Sequence, residues 1–225
     1  MTNNPFEALD RVEEDWKMFS SLTSMTNHWD RSGWSPGRRA YYWYLTFDSE
    51  NLRTLAARCQ DSLPDTYLDH VPLDGLHLTL PKIGWADELT TEEVERVART
   101  AEQDLLHCPP FELEVGPLSG SSGAVRFSVN PWEPVENLYK ILSRTSRYDA
   151  APHSRLNFRP HIGIAYCNTA VDSADLIAKV RGLRDFPRIR VEVDEVQLVL
   201  LERRGRSYAW SLRHSLRLAG RPSAG

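Results

Sequence analysis

The chain has 225 residues, 41% hydrophobic and 26% charged, which is enough for one large domain or two small, intimately packed ones and too apolar for a disordered chain. Its formal net charge of −4 argues against a protein that coats long nucleic acid, whose affinity comes from many cation–phosphate contacts, although a single phosphate group could still be bound. No apolar run approaches the roughly 20 residues that span a bilayer. The opening "MTNNPFEALDRVEEDW" is acidic where a secretory signal would be basic and then apolar, so a cytoplasmic protein without membrane association is expected.

The first element reads as a helix over about residues 6–27, with Phe6, Leu9, Val12, Trp16 and Phe19 along one stripe. "RRAYYWYLTF" is an aromatic, β-branched strand, and "SENLRTLAARCQDSL" is a helix that turns Leu52, Leu55, Ala56, Cys59 and Leu63 inward. "DGLHLTLPKIGW" alternates, with Leu76, Leu78 and Leu80 on one face and His77 and Thr79 on the other. The following helix, "TTEEVERVARTAEQDLLH", opens with Thr90 and Glu93 at capping-box spacing, turns Val94, Val97, Ala101 and Leu105 inward, and stops at Pro109 and Pro110. The strand "FELEVGPL" closes the first half.

The second half repeats this order. "GAVRFSV" reads as a strand, Pro134 opens a helix carrying Val135, Leu138 and Leu142, and "RPHIGIAY" is a strand reached through a loop. A helix from about Ser173 carries Leu176, Ile177, Val180 and Leu183. Two long strands, "RIRVEVDEVQLVLLE" and "SYAWSLRHSL", end the fold, joined by a turn around Gly205. Tyr41 lies 36 residues before His77 (77 − 41), and Val125 lies 36 before His161 (161 − 125), so the halves superpose without a gap over that interval. Tyr41, Trp43 and Leu45 fall on Val125, Phe127 and Val129, while Tyr42, Tyr44 and Thr46 fall on Arg126, Ser128 and Asn130. Agreement in alternation as well as spacing points to an internal duplication.

On "PHIGIAY", strict alternation puts Ile162, Ile164 and Tyr166 on one face and His161, Gly163 and Ala165 on the other. His77 and His161 thus hold equivalent places in two halves, and a pseudo-twofold arrangement would set both imidazoles across one cleft. Two facing imidazoles suit general base and general acid chemistry near neutral pH, as in phosphoester hydrolysis, with the Thr79 hydroxyl on a non-bridging oxygen and no metal required. Arg126 and Arg159 share the cleft parity and could clamp a phosphate. Tyr42 and Tyr44 could stack on a base or pack under the first helix. His28, His70, His107, His153 and His214 lack such context and are read as structural. Cys59, Cys108 and Cys167, odd in number and without Cys-x-x-Cys spacing, are read as buried free thiols rather than disulfide or zinc ligands.

"HLTL" and "HIGI", each on a predicted strand in similar halves, resemble the paired His-x-Thr/Ser-x motifs of the two-histidine phosphoesterase superfamily. That superfamily contains the bacterial 2′-5′ RNA ligase-like proteins and cyclic phosphodiesterases. The resemblance runs over roughly residues 38–216. It implies an α+β fold of two pseudo-symmetric lobes of antiparallel sheet, with helices on the outer faces and a central cleft. Residues 1–37 would form an extra helical extension, and 38–225 one bilobal domain with lobes at about 38–120 and 121–218. It further implies His77, Thr79 and His161 as catalytic residues in metal-independent, cofactor-free opening of a 2′,3′-cyclic phosphate or related ester. RNA ligation is the reverse of that chemistry. Gly163, Arg126, Arg159, Tyr42, Tyr44 and Ser128 are the candidate substrate-binding residues. The expected substrate is a nucleotide, short oligonucleotide or RNA end, and the expected oligomeric state is a monomer. Gly163 stands where the motif has Thr or Ser. Two other readings therefore stay open: a nucleotide-binding module without turnover, and a tailoring enzyme acting on a non-nucleotide ester.

Overall fold

A computed structural model describes residues 5–30, 33–145 and 158–219. Within them lie five helices, α1 (Pro5–Ser20), α2 (Glu50–Gln60), α3 (Thr91–Leu105), α4 (Trp132–Ser143) and α5 (Ala174–Leu183). The strands are β1 (Ser24–Met25), β2 (Arg39–Thr46), β3 (Leu68–His70), β4 (His77–Trp85), β5 (Phe111–Ser121), β6 (Ala124–Asn130), β7 (His161–Cys167), β8 (Val171–Asp172), β9 (Ile189–Val193), β10 (Glu195–Arg203) and β11 (Tyr208–Arg217). The protein is α+β, with one nine-stranded sheet in the order β11-β10-β2-β4-β7-β6-β5-β9, β3 pairing β7 off that path, and a small β1–β8 ribbon. All of these pairings are antiparallel.

Local chemistry sets most boundaries. The Thr90 side chain accepts from the Glu93 N–H while Glu93 accepts from the Thr90 N–H, so the capping box at α3 is complete. α1 spans the apolar stripe but stops at Ser20, short of the expected end near residue 27. The hydroxyls of Ser20 and Ser21 donate to the carbonyls of Lys17 and Met18, and the chain turns toward β1. α4 begins at Trp132, two residues before Pro134. Proline is tolerated there because N–H groups of a first helical turn have no intrahelical acceptor to lose. Gly205 takes a φ of +61° in the β10–β11 turn, a backbone conformation that favours glycine.

The long strand expected over 188–202 is interrupted at Asp194 and becomes β9 and β10, which join opposite parts of the sheet: β9 pairs with β5, and β10 with β2 and β11. With Asp194 alone between them, the sheet must curl until its two sides meet. The halves read from the sequence exchange strands. β5, which ends the first half, pairs with β6 of the second, while β10, which follows the second half, pairs with β2 of the first. The centre of the sheet therefore reads β10-β2-β4 against its pseudo-symmetric counterpart β5-β6-β7.

Trp43, Leu45, Leu78, Val125, Phe127 and Ile162 form a continuous apolar core with the stripes of α2 to α5, among them Leu52, Val94, Leu138 and Val180. α1 packs against β5 and β6. Gly120 leaves the space that Phe19 fills, since a Cβ there would lie 2.4 Å from the ring. The side chains of Phe6 and Leu9, and His153, lie outside the described residues.

Candidate active site

β4 and β7 meet at the middle of the sheet through the pair Leu78↔Ile162, each one residue beyond its histidine. The pseudo-twofold axis therefore passes between the two motifs. Continuing the antiparallel count sets His77 across from Gly163 and His161 across from Thr79. Both imidazoles are held in the same way: His77 Nδ1 lies 2.8 Å from the Gly75 carbonyl oxygen, and His161 Nδ1 lies 2.7 Å from that of Arg159. A carbonyl only accepts, so Nδ1 carries the proton in each ring and Nε2 becomes the nitrogen that exchanges one.

A cavity of about 520 Å³ is lined by both histidines together with Thr79, Gly163, Arg126, Arg159, Tyr42 and Tyr44. Eight of the nine candidate site residues thus share one cleft, and Tyr42 and Tyr44 cluster with β10 residues Val199 and Leu201 rather than under α1. Ser128 is the exception. It is 1% exposed, and its hydroxyl points to the Asp15 carboxylate at 3.5 Å, outside the cavity lining. Asp15, itself 1% exposed on α1, is the anchor of this side of the site. Its carboxylate pairs with Arg159 Nε at 2.5 Å and with Arg126 at 3.5 Å. Arg126 lies 3.2 Å from His161 Nδ1, and since the Nδ1 proton is committed to the Arg159 carbonyl, that contact is cation against ring edge rather than a hydrogen bond. Burial lowers the Arg126 pKa and Asp15 opposes the shift.

His77 stacks on Tyr44 at 4.2 Å and meets the edge of Trp210 at 5.0 Å. The Tyr44 hydroxyl is hydrogen-bonded to Thr79, and burial lifts its pKa well above the usual tyrosine value, which keeps it neutral. Burial in this aromatic setting pushes the His77 pKa down to about 4, against a smaller upward effect of the Gly75 carbonyl. The unfolded chain takes up this proton as pH falls through 6.5, whereas folded His77 resists until about 4, so in that window the unfolded state binds more protons and stability falls with pH. The full contribution is present above 6.5 and amounts to about 3 kcal/mol across the window. His77→Asn is therefore expected to flatten the decline of Tm between pH 6.5 and 4 relative to wild type. Parallel declines would contradict this.

The cavity also contains residues that sequence reasoning assigned elsewhere. His28, read as structural, lines it and places Nε2 3.2 Å from the Tyr208 hydroxyl. Lys82 sits 3.1 Å from the Trp85 ring, and its pKa is lowered to about 8 by burial and by neighbouring Arg38. Tyr166, expected on the apolar face, is on the cavity wall. The cause is a β-bulge: Val125 pairs with Ala165 and Arg126 with Gly163, leaving Ile164 as the extra residue on β7. Ile164 and Ala165 both turn into the core at 0% exposure, and the alternation resumes one residue out of step. Trp132 donates its ring N–H to the Val129 carbonyl at 2.8 Å, and His214 pairs with Glu95 at 3.1 Å; both are packing features. Cys59, Cys108 and Cys167 are buried free thiols. Among the described residues no three His, Cys, Asp or Glu side chains form a metal-binding group, and no helix is long and apolar enough to cross a membrane.

A family model described as the 2′-5′ RNA ligase superfamily matches residues 48–205. Solved structures share the fold. The protein TT0787 of Thermus thermophilus is 18% identical with a TM-score of 0.58, over 81% of this chain and 98% of that one. Escherichia coli LigT complexed with phosphate is 16% identical with a TM-score of 0.57, over 80% and 98%. A structure described as a phosphoesterase is 17% identical with a TM-score of 0.61, also over 80% and 98%. LigT has also been solved with 3′-AMP, ATP and NADP+. No curated protein matches the chain significantly.

Proposed function

The chain belongs to the 2′-5′ RNA ligase superfamily, and from that membership we propose that it is a phosphodiesterase opening 2′,3′-cyclic phosphates on a nucleotide, short oligonucleotide or RNA end in the cytoplasm. The observation that carries this reading is the matched pair of imidazoles, one on each side of the Leu78↔Ile162 pairing, with both Nδ1 atoms fixed on a carbonyl two residues upstream. His77, unprotonated at neutral pH, takes a proton from the attacking water. The water oxygen bonds to phosphorus as the bond to one ribose oxygen breaks, and His161 Nε2–H protonates that departing oxygen. The product is a phosphomonoester, and the pair resets when His77 gives its proton to solvent and His161 takes one up. Thr79 and Arg126, both on the cavity wall, are the donors for the non-bridging oxygens. The nucleotides bound by LigT support a ligand of this size. Gly163, with no hydroxyl to offer, favours a second reading in which the cleft binds nucleotide without turnover.

The test is hydrolysis of a panel of 2′,3′-cyclic nucleotides and short 2′-5′ and 3′-5′ oligonucleotides, with chelator present. Turnover of at least one cyclic nucleotide is the expected result. Binding of the same compounds without turnover would support the second reading. Activity confined to non-nucleotide esters would overturn the nucleotide assignment.

A further inference from the structure

The internal repeat exposes an imbalance in the site. Thr79 puts a hydroxyl two residues after His77, and Gly163, two residues after His161, puts none. The antiparallel count places residue 163 beside His77, so the deficit falls on that histidine's side of the cleft. The space is not empty. A Cβ built on Gly163 would lie 3.5 Å from the Tyr166 hydroxyl oxygen and 3.7 Å from Cε1 of the same ring. The phenol hydroxyl therefore lies at van der Waals distance from the point where a serine or threonine side chain at 163 would begin. It arrives there because of the Ile164 bulge, which shifts the alternation of β7 by one residue and swings Tyr166 from the core to the wall shared with His77 and His161.

The ring is also held still. His28 stacks on it at 4.0 Å with an interplanar angle of 27°, and Trp29 and Tyr208 meet it edge-on at 5.4 Å and 5.7 Å. Trp29 is fixed in turn by its ring N–H to Asp69 at 2.8 Å, and His28 by its contact with the Tyr208 hydroxyl at 3.2 Å. A hydroxyl on a ring clamped on several sides can be a donor positioned before substrate arrives, which is what stabilisation of a phosphorane-like transition state requires.

We propose that the Tyr166 hydroxyl donates to a non-bridging phosphate oxygen in place of the side chain that Gly163 lacks, making it the counterpart of Thr79. The assignment rests on the phosphodiesterase reading above. Glycine at 163 and tyrosine at 166 then form one unit: the strand position lacks a hydroxyl, and the bulge delivers the phenol beside it.

The experiment compares wild type, Tyr166→Phe, Gly163→Ser and the double variant Gly163→Ser/Tyr166→Phe on a 2′,3′-cyclic nucleotide, with thermal melting as a fold control. Phenylalanine keeps the stacked ring and removes only the hydroxyl. Tyr166→Phe is expected to lower kcat/KM by about 10- to 100-fold, the effect of one hydrogen bond to a charged group. In the double variant the serine hydroxyl is expected to recover most of that loss. A Tyr166→Phe enzyme within about twofold of wild type, or a loss that serine at 163 does not restore, overturns the proposal and leaves the two-histidine reading intact. If wild type turns over nothing in the panel, the function reading fails separately, and titration with inorganic phosphate decides the donor role. Weakening by Tyr166→Phe with recovery in the double variant supports it, and equal affinities or no phosphate binding at all overturn it.

Discussion

His77→Ala and His161→Ala are each expected to reduce kcat on a 2′,3′-cyclic nucleotide by about 10²- to 10⁴-fold, the usual contribution of a positioned acid or base. The rings enter the reaction only through proton transfer, so KM is expected to change far less. Because a base without its acid leaves the departing oxygen unprotonated, the double variant should lose little beyond either single one. With His77 unprotonated down to about pH 4, the acid limb of the wild-type kcat/KM profile is expected below the 6.5 of an unperturbed histidine. Steady-state rates of the variants across pH test all of this. Either variant retaining near-wild-type kcat would remove that histidine from the mechanism.

Asp15→Ala is expected to be the most destabilising single change in the extension. It removes a carboxylate that is 1% exposed and leaves Arg126, whose side chain is only 12% exposed, beside Arg159 with their shared counter-charge gone. Breaking a buried pair from one side costs about 3–5 kcal/mol because the remaining charge stays desolvated, which for a chain of this size lowers Tm by about 10 °C. Activity should fall as well, since Arg126 rests against the His161 ring and would lose its anchor. Asp15→Asn, which keeps an acceptor oxygen, is expected to fall between the two. A melting curve of Asp15→Ala within about 2 °C of wild type would show that water or Glu14 replaces the carboxylate.

The cleft was legible in the sequence because its strands obey period two: Trp43 and Leu45 go to the core, and Tyr42 and Tyr44 to the cavity, as their alternation requires. Thr90 with Glu93, and Gly205 in its turn, are local signals, and they survive folding unchanged. Three features were hidden for physical reasons. Strand exchange is a choice of partner, and an apolar stripe such as that of β5 fits either neighbour equally well. A bulge is one residue of slack, and nothing in "HIGIAY" marks Ile164 as the extra one, so Tyr166 was assigned to the wrong face. Asp15 follows Glu13 and Glu14, which are exposed, and only the approach of Arg126 and Arg159 from more than a hundred residues away makes it a buried partner.

The curled sheet has a bearing on how the molecule moves. Since β4 and β7 are hydrogen-bonded neighbours in a sheet continuous from β11 to β9, the two imidazoles are carried on one continuous sheet. An enzyme whose acid and base sit on separate domains can part them by a hinge, admitting a ligand at the cost of disassembling its machinery in every cycle. Here a hinge at that seam would have to tear backbone pairing and split a common core. Breathing is left to the rim, such as the exposed β10–β11 turn, while the spacing of the two imidazoles stays fixed.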